Sequence, residues 1–427
     1  VVSYLASDAA DWCNGQVIGI WGREVRLYSQ YKAMSALYNH GPWDPEALLK
    51  HPPRAIWGKT NGLVQEVYYA GESYQGKPTR VFAYYGRPEG KGPFPAMLLL
   101  HGGGGKAYPD WVKHWVKRGY VALAPDLSGN GPDTKGFRDP GGRLPDGGPC
   151  GDDPFIFRDF TNADLRDMWT YQAVAAVLRG HSLLAARHEV AANRVAITGI
   201  SWGGYLTCIV AGLDHRLKAA VPLYGCGFIH EDSFWVKNDF WAGPNFSKMT
   251  ADRRRRWADN FDPSRYVGHA ECPMLFLSGM IDFAYPPGSH QKTYNLVKTP
   301  VTLSVLANRP HGHYWNFTEV DVFIDSILKS GQPLPKISAM TNSGGTVYAQ
   351  VTSPSPVIKA ELNYTEDTGP WDKRKWRTVP ATINGNTVAA TLPDNTTSLV
   401  YFLGATDQRG LFVSTPHIEV TQKKESR

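Results

Sequence analysis

The segment Gly199-Ile200-Ser201-Trp202-Gly203 sets a hydroxyl between two glycines at the spacing G-x-S-x-G. A strand-like run, Arg194–Ile200, precedes it, and a helical pattern begins near Trp202. A serine in that place must occupy a sharp, strained turn that only glycines can flank. The turn would lift the hydroxyl to the carboxyl end of a sheet, where it can attack a carbonyl carbon. A second glycine cluster, His101-Gly102-Gly103-Gly104-Gly105, directly follows the apolar run Ala96–Leu100. Its bare backbone lets the N–H groups of Gly103 and Gly104 approach a substrate oxygen. The N–H of Trp202, just after the nucleophile, is the matching donor for a tetrahedral oxyanion. A phosphate loop would need G-x-x-x-x-G-K-[ST], but Gly105-Lys106 is followed by Ala107. His101 itself is expected to be structural.

Activating a serine takes a base and an acid that orients it. Asp282, in Ser278-Gly279-Met280-Ile281-Asp282, stands just past the apolar run Met274–Leu277. It is the expected acid, holding an imidazole and stabilising its charged form. The base lies in Asn308-Arg309-Pro310-His311-Gly312-His313-Tyr314, after the run Thr302–Leu306. Counting from the strand favours His311, and an immediately preceding glycine favours His313. Both stay candidates, with His311 first, and the other is expected to line the site or bond to the loop. The loop Asp126–Gly131 reads as structural. The aromatic stretch from Phe228 to Trp257, with Phe234, Trp235, Phe240 and Trp241, reads equally as a substrate wall and as helices packed on the sheet.

These residues need a scaffold, and the hydrophobic rhythm supplies one. Strand-like runs recur at Leu63–Tyr69, Arg80–Tyr85, Ala96–Leu100, Tyr120–Ala124, Arg194–Ile200, Ala219–Leu223, Met274–Leu277 and Thr302–Leu306. Several are almost continuously apolar, as strands covered on both faces must be. Helical patterns fill the gaps, one from about Asn162 to Arg187 and another from about Thr318 to Ser330. The expectation is an α/β domain with a mainly parallel eight-stranded sheet and right-handed crossovers. It would span residues 61–332. Residues 1–60 read as an irregular or partly helical extension packed on it. After Gln332-Pro333-Leu334-Pro335 the pattern turns to short β-rich runs, Thr346–Thr352, Ile358–Tyr364, Thr387–Leu392, Leu399–Ala405 and His417–Thr421. Residues 336–423 therefore read as a small antiparallel sandwich, and Lys423–Arg427 as a polar tail.

At this point a resemblance is visible. Residues of about 60–330 resemble the α/β-hydrolase superfamily, in the branch of dienelactone hydrolases, acetyl xylan esterases and prolyl-oligopeptidase-type enzymes. It is carried by Gly199-Ile200-Ser201-Trp202-Gly203-Gly204-Tyr205, Ile281-Asp282-Phe283-Ala284-Tyr285-Pro286 and Pro310-His311-Gly312-His313, in the chain order Ser, Asp, His. The resemblance implies an α/β-hydrolase fold and a serine esterase, with those roles on Ser201, Asp282 and His311 or His313. Only about 60 residues precede the sheet, too few for the propeller of prolyl peptidases. The C-terminal part resembles immunoglobulin-like and fibronectin-III modules in strand pattern.

The expected reaction is hydrolysis of a carboxylic ester, on a polysaccharide-linked or small ester, with no metal or organic cofactor. A serine peptidase with the same triad is the alternative. A catalytically inactive binding protein on the same fold is the third reading. Composition narrows the field little. Lys+Arg 45 against Asp+Glu 39 gives a net charge of +6, without the concentrated basic face of a nucleic-acid binder. The run Arg253–Arg256 reads as a solvated helix face. No stretch is apolar for as long as a membrane span requires. The five cysteines, 13, 150, 208, 226 and 272, form no C-x-x-C pair, which argues against structural zinc. A secreted or periplasmic location suits such an enzyme.

Overall fold

A computed structural model describes residues 17–21, 24–28, 52–136, 139–151, 156–161, 164–238, 246–313, 317–394 and 398–421. Cys13, Phe240, Trp241, Tyr314, most of the N-terminal extension and the C-terminal tail lie outside the described residues. Strands β1 (Val17–Trp21) and β2 (Glu24–Tyr28) pair as an antiparallel hairpin.

The main sheet holds β3 (Ala55–Asn61), β4 (Val64–Ala70), β5 (Arg80–Gly86), β6 (Phe94–Leu100), β7 (Val121–Pro125), β8 (Val190–Ile200), β9 (Ala219–Leu223), β10 (Met274–Gly279) and β11 (Val301–Leu306). Its order is β11-β10-β9-β8-β6-β7-β5-β4-β3. The strands from β7 to β11 pair in parallel, whereas β5, β4 and β3 join antiparallel. The sheet is thus mixed and has nine strands where the sequence pointed to eight. The ninth strand, β3, comes from the segment read as an irregular extension. It is a half-exposed edge with a register shift between Trp57 and Thr60, so it lacks the apolar run that betrays a covered strand.

Helices cover both faces. These are α1 (Pro109–Lys117), α2 (Trp169–Ala185), α3 (Trp202–Leu213), the short α4 (Phe234–Lys237), α5 (Ala251–Phe261), α6 (Pro287–Tyr294) and α7 (Thr318–Leu328). Side-chain alternation sorts the sheet's residues between two cores. Ala96, Leu98 and Leu100 of β6 join the core with α2 and α3, while Met97 and Leu99 join the one with α1 and α7. Helix α1 begins with Pro109 at its first turn and ends with Lys117. It buries Trp111, Val112, Trp115 and Val116 on one face, each contributing about 1.5–3 kcal/mol. In α5 the Thr250 hydroxyl caps Arg253 N. The arginine run there pins a neighbouring loop: Arg253 pairs with Asp159 at 3.2 Å, Arg256 lies over the Phe160 ring, and Arg254 donates to Phe246 O.

Two five-stranded sheets follow. One has the order β12-β14-β18-β17, from Lys336–Ile337, Thr346–Thr352, Thr387–Thr391 and Thr382–Asn384, with β13 (Thr341–Ser343) on β14. The other is β16-β15-β19-β20, from Arg377–Pro380, Val357–Thr365, Ser398–Asp407 and Phe412–Ser414, with β21 (Ile418–Thr421) on β19. Val347, Val388, Leu362, Leu403 and Val413 bury a common core between them, continuous with the α1/α7 side of the main sheet.

Candidate active site

Between β8 and α3 the whole turn falls on Ser201, at φ +60° and ψ −118°. A non-glycine residue held there costs about 1–3 kcal/mol. Its surroundings enforce the conformation: Ser201 N donates to Leu223 O at 2.8 Å, and Ser201 O accepts from Tyr205 N at 2.9 Å. A Cβ on Gly199 would lie 2.4 Å from the Gly203 carbonyl oxygen, and one on Gly203 would lie 2.2 Å from that of Leu100. Only glycines let helix and strand come this close.

The Ser201 hydroxyl meets His311 Nε2 at 2.9 Å, and His311 Nδ1 meets Asp282 Oδ2 at 2.9 Å. A carboxylate only accepts, so Nδ1 carries the imidazole proton and Nε2 accepts from the serine hydroxyl. Asp282 is buried, and a buried carboxylate needs donors. Its other oxygen accepts from Ala284 N at 2.8 Å and Tyr285 N at 2.9 Å. Each carboxylate oxygen is thus bonded, which fixes the plane in which His311 must lie. The His311 ring is further bounded by Tyr224 at 5.0 Å, Phe283 at 5.3 Å and Tyr285 at 6.0 Å between centroids.

His313 stands elsewhere, 5.5 Å from His311 and edge-on to Gly102. A Cβ on Gly102 would lie 2.9 Å from His313 Nε2. Though the residue keeps an exposed edge, burial and the neighbouring His311 push its pKa down to about 4. It is therefore a neutral imidazole at neutral pH, beside the glycine loop. That loop is held by His101, whose Nε2 accepts from Leu127 N at 2.8 Å while Nδ1 donates to Gly102 O at 2.8 Å. Gly103 packs on the Trp202 indole, for a Cβ there would lie 2.4 Å from Trp202 Cδ1. Trp202 opens α3, so its N–H has no helical acceptor, and the positive end of the helix points at Ser201. Asp126 is a structural group, its Oδ1 accepting from Ser128 N and Asn130 N.

An aromatic cluster packs around Trp202, the residue after the serine. Trp202 contacts Trp235 at 4.6 Å, Trp169 at 5.6 Å and Phe157 at 5.9 Å, and Trp235 contacts Tyr285 at 5.2 Å. Trp235, Phe246 and Trp257 are buried, so much of the stretch read as either wall or packing is packing. Phe283 is different: 51% exposed, it sits 5.6 Å from Phe234 and faces His311. Tyr224, His290 and Phe283 were not singled out by sequence reasoning. The positive φ of Tyr224, +63°, has no residue-type signal, since glycine would be expected there. Cys208, Cys226 and Cys272 are buried free thiols. Among the described residues no cluster of His, Cys, Asp and Glu is arranged to hold a metal ion, and no helix is long and apolar enough to cross a membrane.

Residues 81–293 match the dienelactone hydrolase family, and the segment is a domain of that family. The match takes in Ser201 and Asp282 and ends before His311. An acetyl esterase of Xylanibacter ruminicola is 22% identical over 257 residues, covering 56% of this chain and 54% of the relative. The chain thus spans about half the length of that relative. Among solved structures, an acetyl xylan esterase from Paenibacillus sp. R4 superposes with a TM-score of 0.54 at 24% identity, covering 66% of this chain and 92% of the other. Acetyl xylan esterase 1 from Thermoanaerobacterium sp. JW/SL YS485 gives 0.51 at 17% identity, over 66% and 91%. At these identities the two structures establish the α/β-hydrolase fold.

Proposed function

We propose that this chain, whose residues 81–293 are a dienelactone hydrolase family domain, is a serine carboxylic-ester hydrolase working through Ser201, His311 and Asp282. The observation that carries the reading is the His311 ring spanning Ser201 Oγ and Asp282 Oδ2, 2.9 Å from each. Ser201 attacks the ester carbonyl as His311 Nε2 takes its proton. The oxyanion is met by backbone N–H groups of the Gly103–Gly104 loop and Trp202 at the head of α3. His311 then gives the proton to the departing alcohol, and Asp282 stabilises the imidazolium in between. Water, deprotonated by the same nitrogen, releases the acid. His313 is the second imidazole of the site and not its base.

The names of the relatives favour an acetyl ester, carried on a polysaccharide or a small alcohol. A polymeric ester would place the enzyme outside the cytoplasm, in a secreted or periplasmic location. We divide the chain into an N-terminal extension, a hydrolase domain to residue 332 that takes in β3, and a fibronectin-III- or immunoglobulin-like module over 336–423.

The test is turnover of p-nitrophenyl acetate by the parent and Ser201→Ala. Loss of turnover in the variant is expected, and equal turnover by both would sink the assignment. Cleavage of aminoacyl-nitroanilides well ahead of esters would instead identify a peptidase. A parent protein that a fluorophosphonate fails to label would be a binding protein.

A further inference from the structure

The turn that carries Asp282 lies between solvent and the C-terminal module. Phe283, next to Asp282, is 51% exposed on one side. On the other, Met280 is 1% exposed, buried in one cluster with Ala307 of the hydrolase domain and Trp376, Val400, Phe402 and Phe412 of the module. Strand alternation on β19 dictates this. Leu399, Tyr401 and Leu403 point into the module's own core, so Val400 and Phe402 face the end of the hydrolase sheet. The turn is tied at its start by Met280 N donating to Leu306 O at 3.0 Å and Asp282 N to Gly279 O at 3.3 Å, and at its end by Ala284 N and Tyr285 N on Asp282 Oδ1 and Phe234 N on Ala284 O.

The same interface reaches the base. Ser278, Met280 and His290 line a cavity of about 20 Å³ with Phe402, Thr415 and His417 of the module. Gln291 Nε2 donates to His417 O at 3.2 Å, and Val305 N to Ser414 Oγ at 3.1 Å. His290, beside Gln291 on α6, donates from Nε2 to the Tyr224 carbonyl at 2.6 Å, and the Tyr224 ring bounds His311.

We propose that the C-terminal module is a working part of the active site, with Phe402 the positioning residue that holds the Asp282 turn through Met280. The inference rests on the triad reading above. Without the Phe402 ring, the cluster that buries Met280 keeps Trp376, Val400 and Phe412 but loses one of its large members, and the Asp282 turn gains room to shift out of the plane of His311. A misplacement of about 1 Å in such a constellation can cost roughly 100-fold in rate.

The experiment is a double-mutant cycle on the full chain with p-nitrophenyl acetate: Phe402→Ala, Phe402→Leu, Asp282→Asn and the combinations. Phe402→Ala should lower kcat about ten-fold with KM within about two-fold, and Phe402→Leu should restore most of it. In the Asp282→Asn background Phe402→Ala should change the residual rate less than about two-fold, because the residue it acts through is already disabled. The same factor in both backgrounds, or an unchanged kcat in Phe402→Ala, would overturn the proposal. If Phe402→Ala does not fold, the cycle runs on Met280→Ala with the same criterion. Equal turnover by parent and Ser201→Ala would strike at the triad itself, an outcome separate from any Phe402 result.

Discussion

Gly279 and Arg309 meet backbone to backbone, so closely that a Cβ on Gly279 would lie 1.8 Å from the Arg309 carbonyl oxygen. Gly279 closes the strand that leads to Asp282, and Arg309 stands two residues before His311. The loops bearing Asp282 and His311 are therefore set directly against each other at this glycine. Gly279→Ala must push them apart. It should lower kcat for p-nitrophenyl acetate by about 100-fold, along with the thermal midpoint. A variant with kcat within about three-fold of the parent would show that the loops are coupled some other way.

The two histidines separate in one experiment. His311→Ala should lose about 1,000-fold or more in kcat, because it removes the group between Ser201 and Asp282. His313→Ala should stay within about ten-fold, since its ring touches the Gly102 backbone and not the acid. The reverse order of losses would move the base to His313.

Phe283 is exposed and touches His311 and Phe234 only at ring distance. Phe283→Ala should leave stability within about 0.5 kcal/mol, as at other surface positions. The loss should instead fall on KM, several-fold higher for esters whose alcohol carries a ring and nearly unchanged for methyl esters. A KM increase equal for both ester types would place Phe283 outside the alcohol site.

Stability should depend on pH through His290. Burial outweighs the nearby Asp282 charge and pushes this imidazole from the ordinary 6.5 down to about 4. As pH falls between those values, the unfolded chain takes up a proton that the folded chain refuses. The folded state is then at its most stable above about 6.5 and loses ground down to about 4. His290→Gln keeps a donor for Tyr224 O and removes the titration. Its thermal midpoint should start lower at pH 7 yet decline less between pH 7 and pH 4. A decline as steep as the parent's would acquit His290.

What the sequence made legible was local. The glycine spacing around Ser201 and after β6 is visible because each turn is built from adjacent residues, and Asp282 follows from its place after an apolar run. Choosing between His311 and His313 required knowing which way a loop of a few residues turns, and nothing local decides that. Strand β3 was hidden because Ala55–Asn61 is an edge, half-exposed and interrupted by Gly58. Tyr224, His290 and the Met280–Phe402 packing were invisible for a different reason. They join segments far apart in the chain, and an apolar residue in a β-rich run looks the same whether it faces its own sheet or another domain.

The strained backbone at Ser201 sets chemistry and durability at odds. Glycine would adopt φ +60° and ψ −118° without penalty, whereas alanine would inherit the strain. The relief, about 1–3 kcal/mol, exceeds the about 0.4–1 kcal/mol that glycine's looser unfolded chain takes back. Ser201→Gly should therefore melt above Ser201→Ala, and a midpoint at or below the alanine variant's would mean the turn is relaxed. Stability alone would therefore put glycine, not serine, at position 201.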